Sequence, residues 1–133
     1  MSEDNTGARE GGSITGLGLD TSFTSWIINQ TGVALTLKAS TANPPWKSEP
    51  PQIIPAGTTG GPFGNNGTFD QNASGYVTYV AADITNTPGL TISWDILING
   101  NNNVQFGGDP PLKVAQNGGS GGLHPDPSYT VTQ

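Results

Sequence analysis

The sequence predicts an all-β fold, a single antiparallel β-sandwich, and three observations carry that prediction. No stretch of ten residues keeps the 3.6-residue period of an amphipathic helix. Seven to nine short segments rich in β-branched and aromatic residues alternate with turn signals. Only 11% of the residues are charged, so the polar surface must be built from Thr, Asn, Ser and Gln. These residues, together with Gly and Pro, favour strands and turns over helix interiors.

The length of the chain indicates how many domains it has, and its composition and charge exclude several kinds of site and partner. Its 133 residues fit one domain, and we divide them into a flexible acidic tail over residues 1–12 and a β-sandwich domain over residues 13–133. The chain has no cysteine, which excludes disulfides, thiolate metal sites and cysteine nucleophiles. A net charge of −6 argues against nucleic acid and against simple electrostatic docking on acidic lipid.

The first candidate strand is a weakly alternating segment over residues 13–19, which we place at a sheet edge. Residues 23–28 form the next strand by their β-branched and aromatic content. Residues 33–38 follow with clear alternation, and a turn signal lies between the two at residues 29–32. The pattern therefore predicts that these two strands pair as a hairpin.

The next part of the chain is rich in proline. Six prolines between residues 43 and 62 exclude a helix and a central strand there, so only residues 52–54 remain as a short edge strand. Residues 57–67 are predicted to be a loop or an irregular strand, with Phe63 and Phe69 as anchors.

The second half of the chain carries the clearest alternation. Residues 90–98 place their apolar side chains on one face, and Asn99 with Gly100 is a strong hairpin turn signal. A glycine-rich loop is predicted over residues 117–122. The other strands are predicted at residues 76–81, 104–106, 112–115 and 129–132.

The ionisable residues predict no enzyme, no metal site and no cofactor. The single histidine, His124, lies in a predicted loop, and no Gly-x-Ser-x-Gly elbow accompanies it. No spacing selects a pair of carboxylates for glycoside hydrolysis. One histidine without cysteine argues against zinc, and the spaced acidic loop of an EF-hand is absent.

The tryptophans are the more informative residues. Trp94 lies on the apolar face of an alternating strand, which favours the core, whereas the neighbours of Trp26 leave core and surface open. Trp46 follows two prolines in a loop and precedes Lys47. An indole held in this way suits a membrane interface, stacking on a sugar, or folding back to cap the core.

Several segments, in their order and spacing, resemble the aegerolysin family, and most closely its bacterial branch of small insecticidal crystal proteins. The resemblance covers about residues 23–132. The segments that carry it are residues 25–37, 46–47, 50–57, 75–79, 91–95 with 100–102, 117–121 and 129–131.

This resemblance implies an actinoporin-like β-sandwich that binds membrane lipid, notably in sphingolipid-containing membranes. It also implies a larger perforin-like partner protein that inserts while the smaller protein targets the membrane. By position, Trp26, Trp46 and Trp94 match tryptophans that the family uses for membrane contact or for shaping the lipid site. Asp95 falls in the family's Trp-Asp pair.

We therefore expect a membrane-lipid-binding protein, either a cytolysin or the membrane-targeting component of a pore-forming toxin. Trp46 and Lys47 would form the contact, Trp26 would lie close by, and Trp94 would serve mainly as scaffold. A carbohydrate-binding lectin-like module and a self-assembling structural protein are the alternatives. Whether the protein forms a homo-oligomer stays open.

The start of the sequence bears on where the protein acts. Residues 1–12 lack the basic and apolar regions of a secretory signal peptide. We expect synthesis in the cytoplasm, followed by non-classical release or release by lysis and action at target membranes. A signal that has already been removed is the alternative.

Overall fold

The computed structural model describes residues 20–68 and 70–133, and every regular element within them is a β-strand. The predicted tail over residues 1–12, the candidate strand over residues 13–19 and Phe69 lie outside the described residues. The strands are β1 Thr21–Asn29, β2 Leu35–Asn43, β3 Ile53–Ile54, β4 Thr59–Gly67, β5 Ala73–Val80, β6 Gly89–Ile96, β7 Asn103–Gly108, β8 Lys113–Asn117 and β9 Ser128–Thr132.

The strands form two separate sheets. One has the order β4-β1-β9-β8 and the other has the order β3-β2-β5-β6-β7. Apolar side chains from both sheets join one core, so the predicted all-β class is confirmed and the arrangement is compatible with a β-sandwich.

The prediction of purely antiparallel pairing is wrong for one pair, because β1 and β9 are parallel. The chain before β9 already runs beside β1 in the same direction. The backbone N–H of Ser22 donates to the Leu123 carbonyl at 2.9 Å, and that of Thr24 donates to the Pro125 carbonyl at 3.2 Å. These bonds align the segment with β1 before β9 begins at Ser128.

The predicted hairpin of the first two strands is also wrong, because β1 and β2 belong to different sheets. The buried Asn29 side chain explains the change of sheet. Its Nδ2 donates to the carbonyls of Val33 and Ile54, both at 2.9 Å, and its Oδ1 accepts from Thr31 Oγ1 at 2.7 Å. These hydrogen bonds satisfy backbone groups in the connection between β1 and β2, where the chain crosses from one sheet to the other.

Several other strand predictions are confirmed. β6 and β7 pair as an antiparallel hairpin around Asn99 and Gly100, and β3 is a short edge strand. Of the two alternatives for residues 57–67, a loop or an irregular strand, the structure shows a strand: β4 is a nine-residue edge strand over Thr59–Gly67. The edge position explains how this Gly- and Asn-rich segment can be a strand, because only one side of an edge strand has to pair.

Aromatic rings occupy the core between the sheets. Phe23 of β1 stacks on Trp94 of β6, with ring centroids 4.4 Å apart and an interplanar angle of 11°. Phe63 of β4 lies 6.2 Å from the same indole. Tyr79 and Tyr129 are fully buried, and their hydroxyls donate to the Pro51 carbonyl at 2.6 Å and to Gln116 Oε1 at 2.9 Å.

Buried tyrosines predict a loss of stability in alkali. Burial raises the pKa of Tyr129 to about 12, from an ordinary value of 10.0. The unfolded chain releases this proton at a lower pH than the folded chain, so deprotonation favours unfolding. The free energy of unfolding should keep its full value below about pH 10. It should decrease as the pH rises towards 12 and beyond. Urea unfolding at increasing pH tests this, and Tyr129→Phe should flatten the fall. A midpoint that does not move in alkali would contradict it.

Candidate functional site

The Trp46 loop is held in place by backbone hydrogen bonds. After β2 ends at Asn43, two prolines carry the chain to Trp46. The N–H of Lys47 donates to the Gly64 carbonyl at 2.9 Å, and the N–H of Gly64 donates to the Ser48 carbonyl at 3.0 Å. These bonds fix the loop against the free edge of β4.

The indole of Trp46 is half-buried, and it contacts the core through Trp94. The two ring centroids are 5.7 Å apart and the rings are tilted by 59°. Trp46 thus partly caps the core, as one of the sequence alternatives predicts, and leaves part of its ring in solvent. The neighbouring Lys47 side chain is exposed.

The side chain of Asn65 forms hydrogen bonds with several elements near the Trp46 loop. Its Oδ1 accepts a hydrogen bond from Trp94 Nε1 at 3.0 Å. Its Nδ2 donates to the carbonyl of Pro44 at 2.8 Å and to that of Ser74 at 3.0 Å. The fully buried amide therefore connects β4, β5 and β6 with the start of the Trp46 loop. Nothing in the sequence pattern predicted this role, because Asn65 resembles any other loop asparagine.

The structure brings Trp46 and Trp94 together, whereas Trp26 and Asp95 lie on the outer faces of their strands. Trp94 is only 3% exposed, which agrees with its predicted position in the core. Trp26 is half-buried on the outer face of the four-stranded sheet, where its ring lies over Gly61. Asp95 alternates with Trp94 along β6 and so lies on the opposite face of that strand. The ring pairs of the described residues include none between Trp26 and Trp46, and the proximity of Trp26 to the Trp46 contact stays a prediction.

A Ser-His-Asp contact is present at the surface. Ser22 Oγ lies 2.8 Å from His124 Nδ1, and His124 Nε2 lies 3.6 Å from Asp20 Oδ1. The side chains of His124 and Asp20 are 56% and 60% exposed, so nothing there excludes water. Within residues 20–68 and 70–133, no three His, Asp or Glu side chains are grouped to hold a metal ion.

No protein-family model matches the chain, and no curated protein matches it significantly. Across the part of the chain that the structure describes, no helix has the length and apolar character needed to cross a bilayer. Function has to be argued from the residues themselves.

Proposed function

We propose that this protein binds membrane lipid through Trp46 and Lys47, as a cytolysin or as the membrane-targeting component of a pore-forming toxin. The observation that carries the proposal is the partly exposed Trp46 beside the exposed Lys47. The core braces one side of the indole at Trp94, so the ring is already ordered before it meets a membrane.

The chemistry of the two side chains suits the boundary between headgroups and acyl chains. Indole rings concentrate at this boundary because the ring is apolar and its N–H stays hydrated. An ammonium one residue away is placed to pair with a lipid phosphate. With a net charge of −6, the protein gains little from general attraction to acidic membranes, which favours recognition of a particular headgroup.

The finer parts of this function rest on the family resemblance. An aegerolysin-like fold is supported by two sheets that share one core and by the position of the tryptophans along the chain. On that basis we propose sphingolipid-containing membranes as the target and a larger perforin-like protein as the partner. Action would follow release from the producing cell.

Trp46→Ala should weaken binding to vesicles by at least about tenfold, because the inserted ring would be lost. The measurement is co-sedimentation with vesicles of sphingomyelin and cholesterol, beside vesicles of phosphatidylcholine alone. Trp46→Phe should retain part of the binding, because it keeps an apolar ring at the same position. Lys47→Ala should weaken binding to a smaller extent.

Trp26→Ala is the matched control, since Trp26 is also half-buried but lies on the outer face of the four-stranded sheet, opposite the core that contacts Trp46. It should bind vesicles as the unaltered protein does. Equal binding by Trp46→Ala and the unaltered protein would remove Trp46 from the proposal. Failure of the unaltered protein to bind any vesicle would refute the lipid proposal as a whole.

A further inference from the structure

The outer face of the five-stranded sheet carries an ordered array of hydroxyl and amide side chains. The strand register aligns them in rows that run across β2, β5, β6 and β7. The successive rows are Asn43, Ser74, Asp95 and Asn103; then Thr41, Tyr76, Ser93 and Gln105; then Ala39, Thr78, Thr91 and Gly107.

Two adjoining depressions lie along this face. The larger has a volume of about 380 Å³ and the smaller about 230 Å³, and both are lined by Thr91 and Gly107. The larger volume falls within the range of about 300–1,000 Å³ that is typical of small-molecule sites. Because the two share these residues, together they form one continuous shallow groove.

Glycines keep the groove open. A Cβ atom added to Gly107 would meet no heavy atom within 4 Å, so the space above this residue is empty. Gly89 and Gly108 also line the larger depression. Larger side chains at Gly89 and Gly107 would occupy the space that a ligand needs, whereas a Cβ at Gly108 would meet Leu112 and Val114.

The chemistry of the groove fits a sugar. Thr78 Oγ1 and Thr91 Oγ1 are 3.0 Å apart, and Gln105 adds an amide that can both donate and accept. One aromatic residue of these rows, Tyr76, is 37% exposed. Hydroxyl and amide groups match sugar hydroxyls, while an exposed ring offers an apolar surface to the C–H face of a sugar.

The charges at the groove favour a neutral ligand. One cation, Lys38, and one carboxylate, Asp109, line the larger depression, so their formal charges cancel. Asp109 is already engaged, because its Oδ2 accepts the N–H of Gly89 at 3.0 Å. We propose that this groove binds a neutral oligosaccharide.

The groove is separate from the proposed lipid contact. Its larger depression lies where Val80 pairs with Gly89, at the end of β5. The Trp46 loop leaves β2 at Asn43, which pairs with Ser74 near the opposite end of β5. The two sites can therefore be tested independently with variants of the same chain.

A printed array provides the test; it carries linear neutral oligosaccharides of glucose, mannose, galactose, xylose and N-acetylglucosamine, beside sulfated and sialylated sugars. The unaltered protein should bind at least one class, and titration calorimetry with that soluble sugar should give its affinity. Gly107→Leu should weaken this affinity by at least about tenfold, because leucine fills the groove. Tyr76→Ala should weaken it as well, and Trp46→Ala should leave it unchanged.

Gly119→Leu is the matched control, since a Cβ at Gly119 also meets nothing within 4 Å but lies in the loop after β8. It should bind sugar normally, and Gly107→Leu should still bind vesicles. Binding to no neutral sugar would overturn the proposal, as would binding only to sulfated or sialylated sugars. So would full sugar affinity in both Gly107→Leu and Tyr76→Ala.

Discussion

Replacing Trp94 with alanine should lower the free energy of unfolding by about 3–5 kcal/mol, the usual loss for a large buried aromatic side chain. The indole is 3% exposed and stacks on Phe23 across the two sheets, so its removal leaves a cavity between them. It also removes the support beneath Trp46. Urea unfolding followed by far-ultraviolet circular dichroism measures the loss.

Trp94→Phe separates packing from hydrogen bonding. Phenylalanine keeps a ring against Phe23 but removes the Nε1 donor, which leaves Asn65 Oδ1 buried without that partner. We expect a loss of about 1–3 kcal/mol for this variant, clearly less than for alanine. Trp94→Ala within about 1 kcal/mol of the unaltered protein would contradict the central position of this side chain.

Strict alternation made β6 the most predictable strand. Leu90, Ile92, Trp94 and Ile96 are all buried, as their shared face predicted. A side-chain period of two assigns each residue to a face without any knowledge of the partner strand. The strand nevertheless ends at Ile96, before the predicted limit at residue 98, because the chain already turns there: the N–H of Leu97 donates to Asn102 Oδ1 at 2.9 Å.

Pairing was harder to predict than strand position. The turn signal at residues 29–32 correctly marked the end of β1, but it did not specify which sheet the next strand joins. The buried side chain of Asn29 decides this through contacts with the distant carbonyl of Ile54. For a related reason β4 was predicted only as a loop or an irregular strand, because glycine and proline indicate loops unless an edge position is known.

The candidate site was predicted only in part. The prolines before Trp46 indicated a loop that carries Trp46 and Lys47, and the structure places Trp46 partly and Lys47 more fully at the surface. The contact of Trp46 with Trp94 joins residues far apart in sequence, so no local pattern contains it. The rows on the outer face depend on the register of four strands, which a single sequence does not give.

Gly64→Ala should prevent folding or lower the free energy of unfolding by more than about 4 kcal/mol. Gly64 has a φ of 155°, and a Cβ built there would lie 1.8 Å from the backbone oxygen of Phe23. That oxygen belongs to the backbone of β1, so relief would require β1 and β4 to separate. Expression level and urea unfolding of the purified variant provide the measurement.

Gly107→Ala is the matched control, because it adds the same methyl group to a strand glycine with nothing within 4 Å. It should be neutral or stabilise by up to about 1 kcal/mol, since alanine suits a strand interior better than glycine. Gly64 also pairs with Lys47 and Ser48, so any Gly64→Ala protein that folds should bind vesicles poorly while Gly107→Ala binds normally. Equal stability of the two variants would show that β1 and β4 do not approach each other closely at Gly64. The hydrogen bonds of Gly64 with Lys47 and Ser48 would then not explain how the Trp46 loop is held.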